Sequence, residues 1–398
     1  MSRFRGCVYL GWLAWLANVS TSGMAAPFTP GTLVVSQVGN GVLASGTVPV
    51  TLREFTTAGT ATGVEVALPT TDSGSSYAIV ANTLGNTGIG FLKRSVDEQF
   101  LTIIGYGTNA TASRTIARID TLGGIDSSTR FSAAGGSPRS AVTTTGTDLW
   151  WSGDTGSGST GGIRFTSLGS TSSGVALAQG IGSSGSNASG QFPVPYHSRV
   201  IGIFDGQLYG SSSVAVGGYS FRGVFNVGTG VPTTANQFGV TIVGGGTSNS
   251  GIIDSPWEFF IADSNTIYVA DDDSTAPATG GLQKWLFSSG SWSKAWTATP
   301  AGAVGVRGLT GLVTGSSVQL YGITAMTSGT DANSLVALSD TLGGTTLPSF
   351  STLATAGSNY VFRGVALAPV PEPSSVVLVL AGAGALAAAG RRLQIRRG

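Results

Sequence analysis

A weak internal repeat constrains the fold of this 398-residue chain more than any other feature. Each copy opens with an Arg-small-apolar run or a close variant, passes through a Gly or Asn turn into an aromatic strand that ends in small residues, and then adds further strands. Copies recur at roughly 50 to 60 residues, the range of a β-propeller blade with long loops. The opening strands of the copies lie at 90–95, 139–142, 199–204, 257–262 and 306–311.

The last copy of the repeat is incomplete, because it offers one strand, 361–367. The N-terminal segment supplies three strand-like runs, 33–36, 48–55 and 64–68. Pairing the final strand with these runs would close a ring and remove exposed sheet edges. The sequence therefore predicts an all-β protein, a β-propeller of six blades.

Two further interpretations of the repeat stay open. The strand-like stretches 77–81 and 240–243 belong to no copy, so seven blades remain an alternative. A β-sandwich or a β-solenoid is the wider alternative.

Composition agrees with an all-β chain that has a packed core. Charged residues make up 10% of the chain and glycine occurs 62 times, whereas charged residues are about 25% of an average globular domain. Disordered chains are poor in aromatic residues, but this chain has 8 Trp, 9 Tyr and 17 Phe. We expect the recurring aromatic residues to form the core of the blades.

The N-terminus has the order of a secretory signal peptide, predicted over residues 1–25. Arg3 and Arg5 precede the apolar stretch 8–19, and small residues follow at 22–26. Cys7 is the only cysteine and lies in the segment to be removed. The exported domain, predicted over 27–369, would then contain neither a disulfide nor a reactive thiol.

The C-terminal segment 370–398 combines an extended motif, an apolar stretch and a basic end. Fourteen apolar residues give about 21 Å of helix, a short transmembrane span, and a basic end stays cytoplasmic. The three parts are Pro371, Glu372 and Pro373; the predicted transmembrane helix 376–389; and the basic end 391–398 with Arg391, Arg392, Arg396 and Arg397.

This tail resembles the PEP-CTERM sorting signal of Gram-negative bacteria, and the repeats look like those of propeller-like PEP-CTERM proteins without an assigned activity. The resemblance implies that an exosortase recognises 371–373 and processes the chain there. Signal peptidase is the expected partner of the N-terminal segment during export. The two prolines suit such processing, because they hold the junction extended and non-helical. The resemblance also implies transient residence in the inner membrane and a final place at the cell surface or outside the cell.

Few residues point to chemistry. His197 is the only histidine, which excludes mechanisms with two imidazoles and the usual zinc sites, and no nucleophile elbow supports a Ser-His-Asp triad. Asp271, Asp272 and Asp273 follow a strand; we expect a solvated turn, with a calcium site as the weaker alternative. The loop 85–90 superficially resembles a phosphate loop, but no βαβ unit surrounds it.

The sequence predicts a non-enzymatic interaction or structural module of the cell surface, extracellular matrix or biofilm, without a cofactor. Exopolysaccharide is a candidate partner. The exported domain has a net charge of about −4, because six basic residues and one acidic residue lie in the terminal segments, so nucleic acid is not an expected partner. The alternative is an extracellular polysaccharide hydrolase or lyase, although no pair of carboxylates stands out.

Overall fold

The described part of the chain consists of β-strands joined by turns and irregular segments. The computed structural model describes residues 27–372, with gaps at 43–45, 109–112, 133–135, 155–161, 178–191, 217–218, 247–251 and 275–278. The predicted signal peptide, Pro373, the apolar stretch 376–389 and the basic end lie outside the described residues. No helix within the described part is long and apolar enough to cross a membrane.

Twenty-nine strands are present in the described residues. In chain order they are β1 Leu33–Gly39, β2 Val48–Phe55, β3 Ala61–Ala67, β4 Val80–Ala81, β5 Leu92–Arg94, β6 Leu101–Tyr106, β7 Ser113–Ile119, β8 Ile125–Ser132, β9 Ser137–Thr143, β10 Asp148–Asp154, β11 Gly162–Ser167, β12 Val175–Ala176, β13 Phe192–Pro193, β14 Ile201–Phe204, β15 Gln207–Ser212, β16 Ala215–Val216, β17 Tyr219–Ser220, β18 Gly223–Asn226, β19 Phe238–Gly239, β20 Thr241–Gly244, β21 Pro256–Asp263, β22 Thr266–Asp271, β23 Gly281–Ser288, β24 Ser291–Ala298, β25 Gly305–Thr314, β26 Ser317–Ala325, β27 Ser334–Thr341, β28 Ser351–Thr355 and β29 Tyr360–Leu367.

Most of these strands form six antiparallel groups of four. In pairing order the groups are sheet 1 (β29, β1, β2, β3), sheet 2 (β5, β6, β7, β8), sheet 3 (β9, β10, β11, β12), sheet 4 (β14, β15, β18, β20), sheet 5 (β21 to β24) and sheet 6 (β25 to β28). The short strand β4 pairs with both β2 and β6 and thereby joins sheets 1 and 2. Two further pairs, β13 with β19 and β16 with β17, lie outside the six groups.

Sheet 1 combines the two ends of the described chain, as the repeat predicts. The final strand β29 pairs antiparallel with β1, in a register that sets Leu33 opposite Leu367 and Val35 opposite Val365. The register shifts between Val35 and Gln37. Residues more than 300 positions apart in sequence therefore share one hydrogen-bond ladder, in which β29 is the edge strand and β1 lies between β29 and β2.

The first strands of the six sheets lie next to one another in a cycle. Contacts join β29 to β5, β5 to β9, β9 to β14, β14 to β21, β21 to β25 and β25 back to β29. Because each first strand leads outward into its own sheet, the arrangement is propeller-like, and the first strands surround a common axis.

The two stretches that could have made a seventh blade have other roles. The stretch 77–81 contributes β4, the bridge between sheets 1 and 2. The stretch 240–243 contributes β20, the fourth strand of sheet 4. Neither begins a separate four-stranded sheet in the described part of the chain.

The recurring aromatic residues pack inside the molecule, as expected. Trp150 is 2% exposed, and Trp151 and Tyr268 have no exposed surface. Trp151 stacks on Phe131 of the preceding sheet, with ring centroids 4.6 Å apart. Burying side chains of this size is among the largest stabilising contributions available to a chain without disulfides.

Serine hydroxyls link neighbouring sheets where second strands end in small residues. Each hydroxyl donates a hydrogen bond of 2.5 Å to a backbone carbonyl at the start of the next sheet, and we call these three contacts the serine bridges. They are Ser36 to Gly90, Ser152 to Arg199, and Ser211 to Trp257. All three serines have no exposed surface, so burial between neighbouring sheets accounts for small residues at this position of the repeat.

Candidate functional site

Four arginines come together where the first strands begin, near the axis. Arg139 lies on β9, Arg307 on β25 and Arg363 on β29, while Arg199 precedes β14 by two residues. We call Arg139, Arg199, Arg307 and Arg363 the arginine cluster. The Arg-small-apolar repeat places one arginine at the opening of the first strand in four of the six sheets.

Trp257 of β21 forms the centre of this cluster. The guanidinium carbons of Arg199, Arg139 and Arg307 lie 4.2, 5.2 and 5.4 Å from the centroid of its ring. Phe91 stacks on the same indole with centroids 5.4 Å apart and planes 13° from parallel. Cation–π contacts of this kind are worth about 0.5–2 kcal/mol each, with the larger values for desolvated pairs.

Asp272 neutralises one side of the cluster. Arg307 donates two hydrogen bonds to its carboxylate, the one from Nε being 2.9 Å long, and the Ser255 hydroxyl donates another of 2.5 Å. Burial acts to raise the pKa of Asp272, but the charges of Arg307 and Arg199 and these hydrogen bonds lower it on balance. Asp272 is therefore ionised at neutral pH.

Asp154 neutralises Arg139 and contacts the single histidine. Nη2 of Arg139 lies 2.9 Å from the Asp154 carboxylate, and Nε2 of His197 lies 2.8 Å from it. Burial acts to raise the pKa of Asp154, and hydrogen bonds from His197 and Arg139 lower it on balance. Nδ1 of His197 is buried without a hydrogen-bond partner in the described part, so no described serine is placed to complete a triad.

Arg363 is buried and bonded only to uncharged groups in the described structure. It is 3% exposed, and Nη2 donates to the carbonyls of Leu84 at 2.6 Å and Gly329 at 2.8 Å. Burial, followed by the positive charge of Arg307, lowers the pKa of Arg363 to about 9. Arg363 therefore holds two loops together without a neutralising carboxylate.

The glycine-rich loop 85–90 packs against the arginine cluster. A side-chain carbon at Gly88 would lie 1.3 Å from Nη1 of Arg139, and one at Gly90 would lie 2.7 Å from Cβ of Arg363. Gly90 also has a φ of +94°, which favours glycine. These glycines allow close approach of backbone and arginine, which accounts for the pattern that superficially resembled a phosphate loop.

A cavity of about 290 Å³ opens at the other end of the first strands. Each first strand contributes to its wall, through Leu92, Val142, Gly202, Phe259, Leu309 and Val365. Lys93 also lines the cavity and forms an ion pair with Glu258, whose side chain is 2% exposed. Burial raises the pKa of Glu258, while the charge and hydrogen bond of Lys93 act to lower it.

The sorting motif begins at the rim of this cavity. The backbone N–H of Val370 donates a 2.9 Å hydrogen bond to the carbonyl of Glu98, in the hairpin that follows β5. Pro371 and Glu372 are exposed and lie outside any strand. Pro373 and the four arginines of the basic end are not among the described residues.

The acidic triplet 271–273 lies in a network of hydrogen-bond donors instead of on a solvated turn. The Asp271 carboxylate accepts hydrogen bonds from backbone N–H groups of Asp254, Ser255 and Asp273 and from the Thr279 hydroxyl. In the described chain no group of three or more His, Cys, Asp and Glu side chains is arranged to hold a metal ion. The calcium site stays a prediction. Hydrogen-bond donors account for Asp271, and Arg307 together with the Ser255 hydroxyl accounts for Asp272, without a metal ion.

The arginine cluster is the feature that the sequence contained but that sequence reasoning did not assign to a site. The repeat displays Arg139, Arg199, Arg307 and Arg363 at equivalent positions. Four basic residues at one repeat position are a signal of convergence on the axis, because equivalent positions of first strands surround that axis.

The comparisons with known proteins identify the tail. The family model of the PEP-CTERM protein-sorting motif matches residues 369–397. The chain thus carries a PEP-CTERM sorting motif at its C-terminus, which implies an exported protein that an exosortase processes. No curated protein matches the sequence.

Solved structures resemble the chain at low identity. A Bacteroides fragilis protein provisionally named a 6-phosphogluconolactonase has a TM-score of 0.45 and 14% identity, over 85% of this chain and 83% of that protein. A Bacteroides uniformis protein with the same provisional name has a TM-score of 0.45 and 13% identity, over 82% of this chain and 84% of that one.

Proposed function

We propose that this chain is a six-bladed β-propeller that an exosortase delivers to the cell surface or the extracellular matrix, where it acts as a non-enzymatic interaction module. The sorting motif supports delivery. The cycle of first strands and the pairing of β29 with β1 support six blades with a ring closed by the two ends of the chain.

The observation that carries the non-enzymatic role is the pairing of acidic side chains near the axis. Asp154 is paired with Arg139, Asp272 with Arg307 and Glu258 with Lys93. A hydrolase that acts through two carboxylates needs one ionised and one protonated carboxyl facing the substrate. Carboxylates held by cations serve the structure and the charge balance of the site, which favours binding over catalysis.

One observation favours the hydrolase or lyase alternative. Glu258 is buried beside a cavity and has a raised pKa, and perturbed carboxyls next to cavities are common at active sites. The test is release of reducing ends or unsaturated sugars from a panel of neutral and acidic polysaccharides. We expect no release above background; turnover that Glu258→Gln abolishes would establish the enzyme and reject the proposal.

Delivery has its own test, intact mass measurement of the protein recovered from the surface and the medium of its native host. We expect loss of about the first 25 residues and of the segment beyond the Pro-Glu-Pro motif. A mature chain that keeps Arg391 to Arg397 would mean an ordinary membrane anchor and would refute exosortase processing.

A further inference from the structure

The arginine cluster contains four guanidinium groups but forms ion pairs with two carboxylates, Asp154 and Asp272, in the described structure. Arg139 and Arg307 have carboxylate partners. Arg199 donates to the Ser255 hydroxyl and the Pro256 carbonyl, both at 3.0 Å, and Arg363 donates to two carbonyls. Buried charge is costly unless an opposite charge compensates it, so the site favours an added anion.

Unused hydrogen-bond donors accompany the excess charge. Nε1 of Trp257, Nε of Arg139 and Nε of Arg363 are buried and have no hydrogen-bond partner within the described residues. Trp257 is 5% exposed and Arg363 3% exposed. Unpaired buried donors are rare in folded proteins and call for an acceptor. An oxyanion offers several acceptor oxygens as well as negative charge.

Two arginines of the cluster are partly accessible to solvent. The side chains of Arg139 and Arg307 are 15% and 10% exposed, and both lie at the beginning of their first strands, the end opposite the cavity. The planar guanidinium group is suited to carboxylates and other oxyanions, because it presents parallel N–H donors.

We propose that the arginine cluster binds an oxyanion, the acid group of an acidic polysaccharide, through Arg139, Arg307 and Arg363. The polysaccharide as the source of the acid group rests on the interaction role proposed above. The oxyanion site itself does not rest on that role, because charge and unpaired donors alone support it.

The test uses the purified mature protein and measures thermal unfolding and calorimetric binding at constant ionic strength. Sodium glucuronate and sodium sulfate are the free oxyanions, sodium chloride is the reference salt, a polyuronate is the acidic polysaccharide and an uncharged glucan is its control. We expect glucuronate or sulfate to raise the midpoint of unfolding above the chloride value, and polyuronate to bind where the glucan does not.

Two variants of the cluster and one control make the test specific. Arg363→Gln and Arg139→Gln should each weaken oxyanion binding at least tenfold. Arg130→Gln should bind like the wild type, because Arg130 lies on β8, the last strand of sheet 2, and pairs there with Asp72 away from the cluster. In chloride, Arg363→Gln should unfold earlier than the wild type, because the carbonyls of Leu84 and Gly329 lose their donor. The readout is therefore the shift of the midpoint from chloride to glucuronate within each protein, which should be smaller in Arg363→Gln than in the wild type. A purely structural arginine would leave that shift unchanged.

The outcomes separate the two parts of the proposal. Equal stabilisation by all salts, or equal oxyanion binding by wild type and Arg363→Gln, would overturn the site. Binding of glucuronate without binding of polyuronate would keep the oxyanion site and reject the polysaccharide. Binding of polyuronate that persists in both cluster variants would place the interaction role elsewhere on the molecule.

Discussion

The serine bridge at Ser211 offers the sharpest test of how the sheets are held together. Its hydroxyl accepts a 3.1 Å hydrogen bond from the N–H of Val200 and donates one of 2.5 Å to the carbonyl of Trp257. Ser211 has no exposed surface. Ser211→Ala therefore removes the partner of two buried backbone groups, one on each of two neighbouring sheets.

The size of the effect follows from those two groups. Leaving one buried donor or acceptor unsatisfied costs about 1–3 kcal/mol, so Ser211→Ala should lower the free energy of unfolding by about 2–6 kcal/mol. Ser36→Ala should behave alike, because Ser36 accepts from the N–H of Gly364 at 2.8 Å and donates to the carbonyl of Gly90 at 2.5 Å.

Urea unfolding followed by tryptophan fluorescence measures the change as a lower midpoint at constant slope. Ser339→Ala is the matched control, since the exposed Ser339 hydroxyl bonds only the Gln319 side chain on the surface; its effect should stay within about 0.5 kcal/mol. If Ser211→Ala were as stable as Ser339→Ala, the serine bridges would not hold the sheets together.

Three further predictions concern stability. Asp340→Ala should cost about 3–5 kcal/mol in urea unfolding, because the fully buried Lys284 ammonium would lose the carboxylate 2.7 Å away; a cost near zero would contradict a buried ion pair. Deleting residues 27–68 removes three strands of sheet 1 and should abolish cooperative thermal unfolding, so a retained native transition would refute closure by the two ends. Burial acts to raise the pKa of Asp272, but its arginine partners lower this pKa on balance. The ionised Asp272 therefore stabilises the fold fully at pH values above its unfolded-state pKa of about 3.8. This stabilisation is lost as the pH falls through the lower pKa of the folded state. Asp272→Asn should therefore flatten the acid decline of the unfolding midpoint, and an unchanged pH profile would contradict this assignment.

Most of the fold could be predicted from the sequence, because strand periodicity and turn residues are local signals. The copy at 139–178 anticipates all four strands of sheet 3. Edge strands were harder: β28 reads Ser-Thr-Leu-Ala-Thr and is largely exposed, so it carries no buried alternation to detect. The sequence showed β20 as a strand-like run. It did not show that β20 pairs with β18, because that pairing is a tertiary contact.

The site was less predictable, because it depends on which first-strand residues face the axis. The sequence showed the recurring arginines. It could not give their distances to Trp257, nor that only Arg139 and Arg307 of the four form ion pairs with carboxylates in the described structure. It also favoured a solvated turn for the acidic triplet, whereas Asp271 is buried and bound to backbone N–H groups. Two of these donors come from residues 254 and 255, about 17 residues earlier in the chain.

The bond from Val370 to Glu98 places the start of the tail beside the cavity rim. Five residues, 371–375, lie between Val370 and the predicted transmembrane helix 376–389. An extended chain spans at most about 3.6 Å for each of the six steps from 370 to 376. A molecule tethered by its tail would hold the cavity rim within roughly 22 Å of the bilayer, with the arginine cluster turned away from it. Large ligands would then reach the arginines from the start, whereas the cavity would become accessible to them only after the tail is cut.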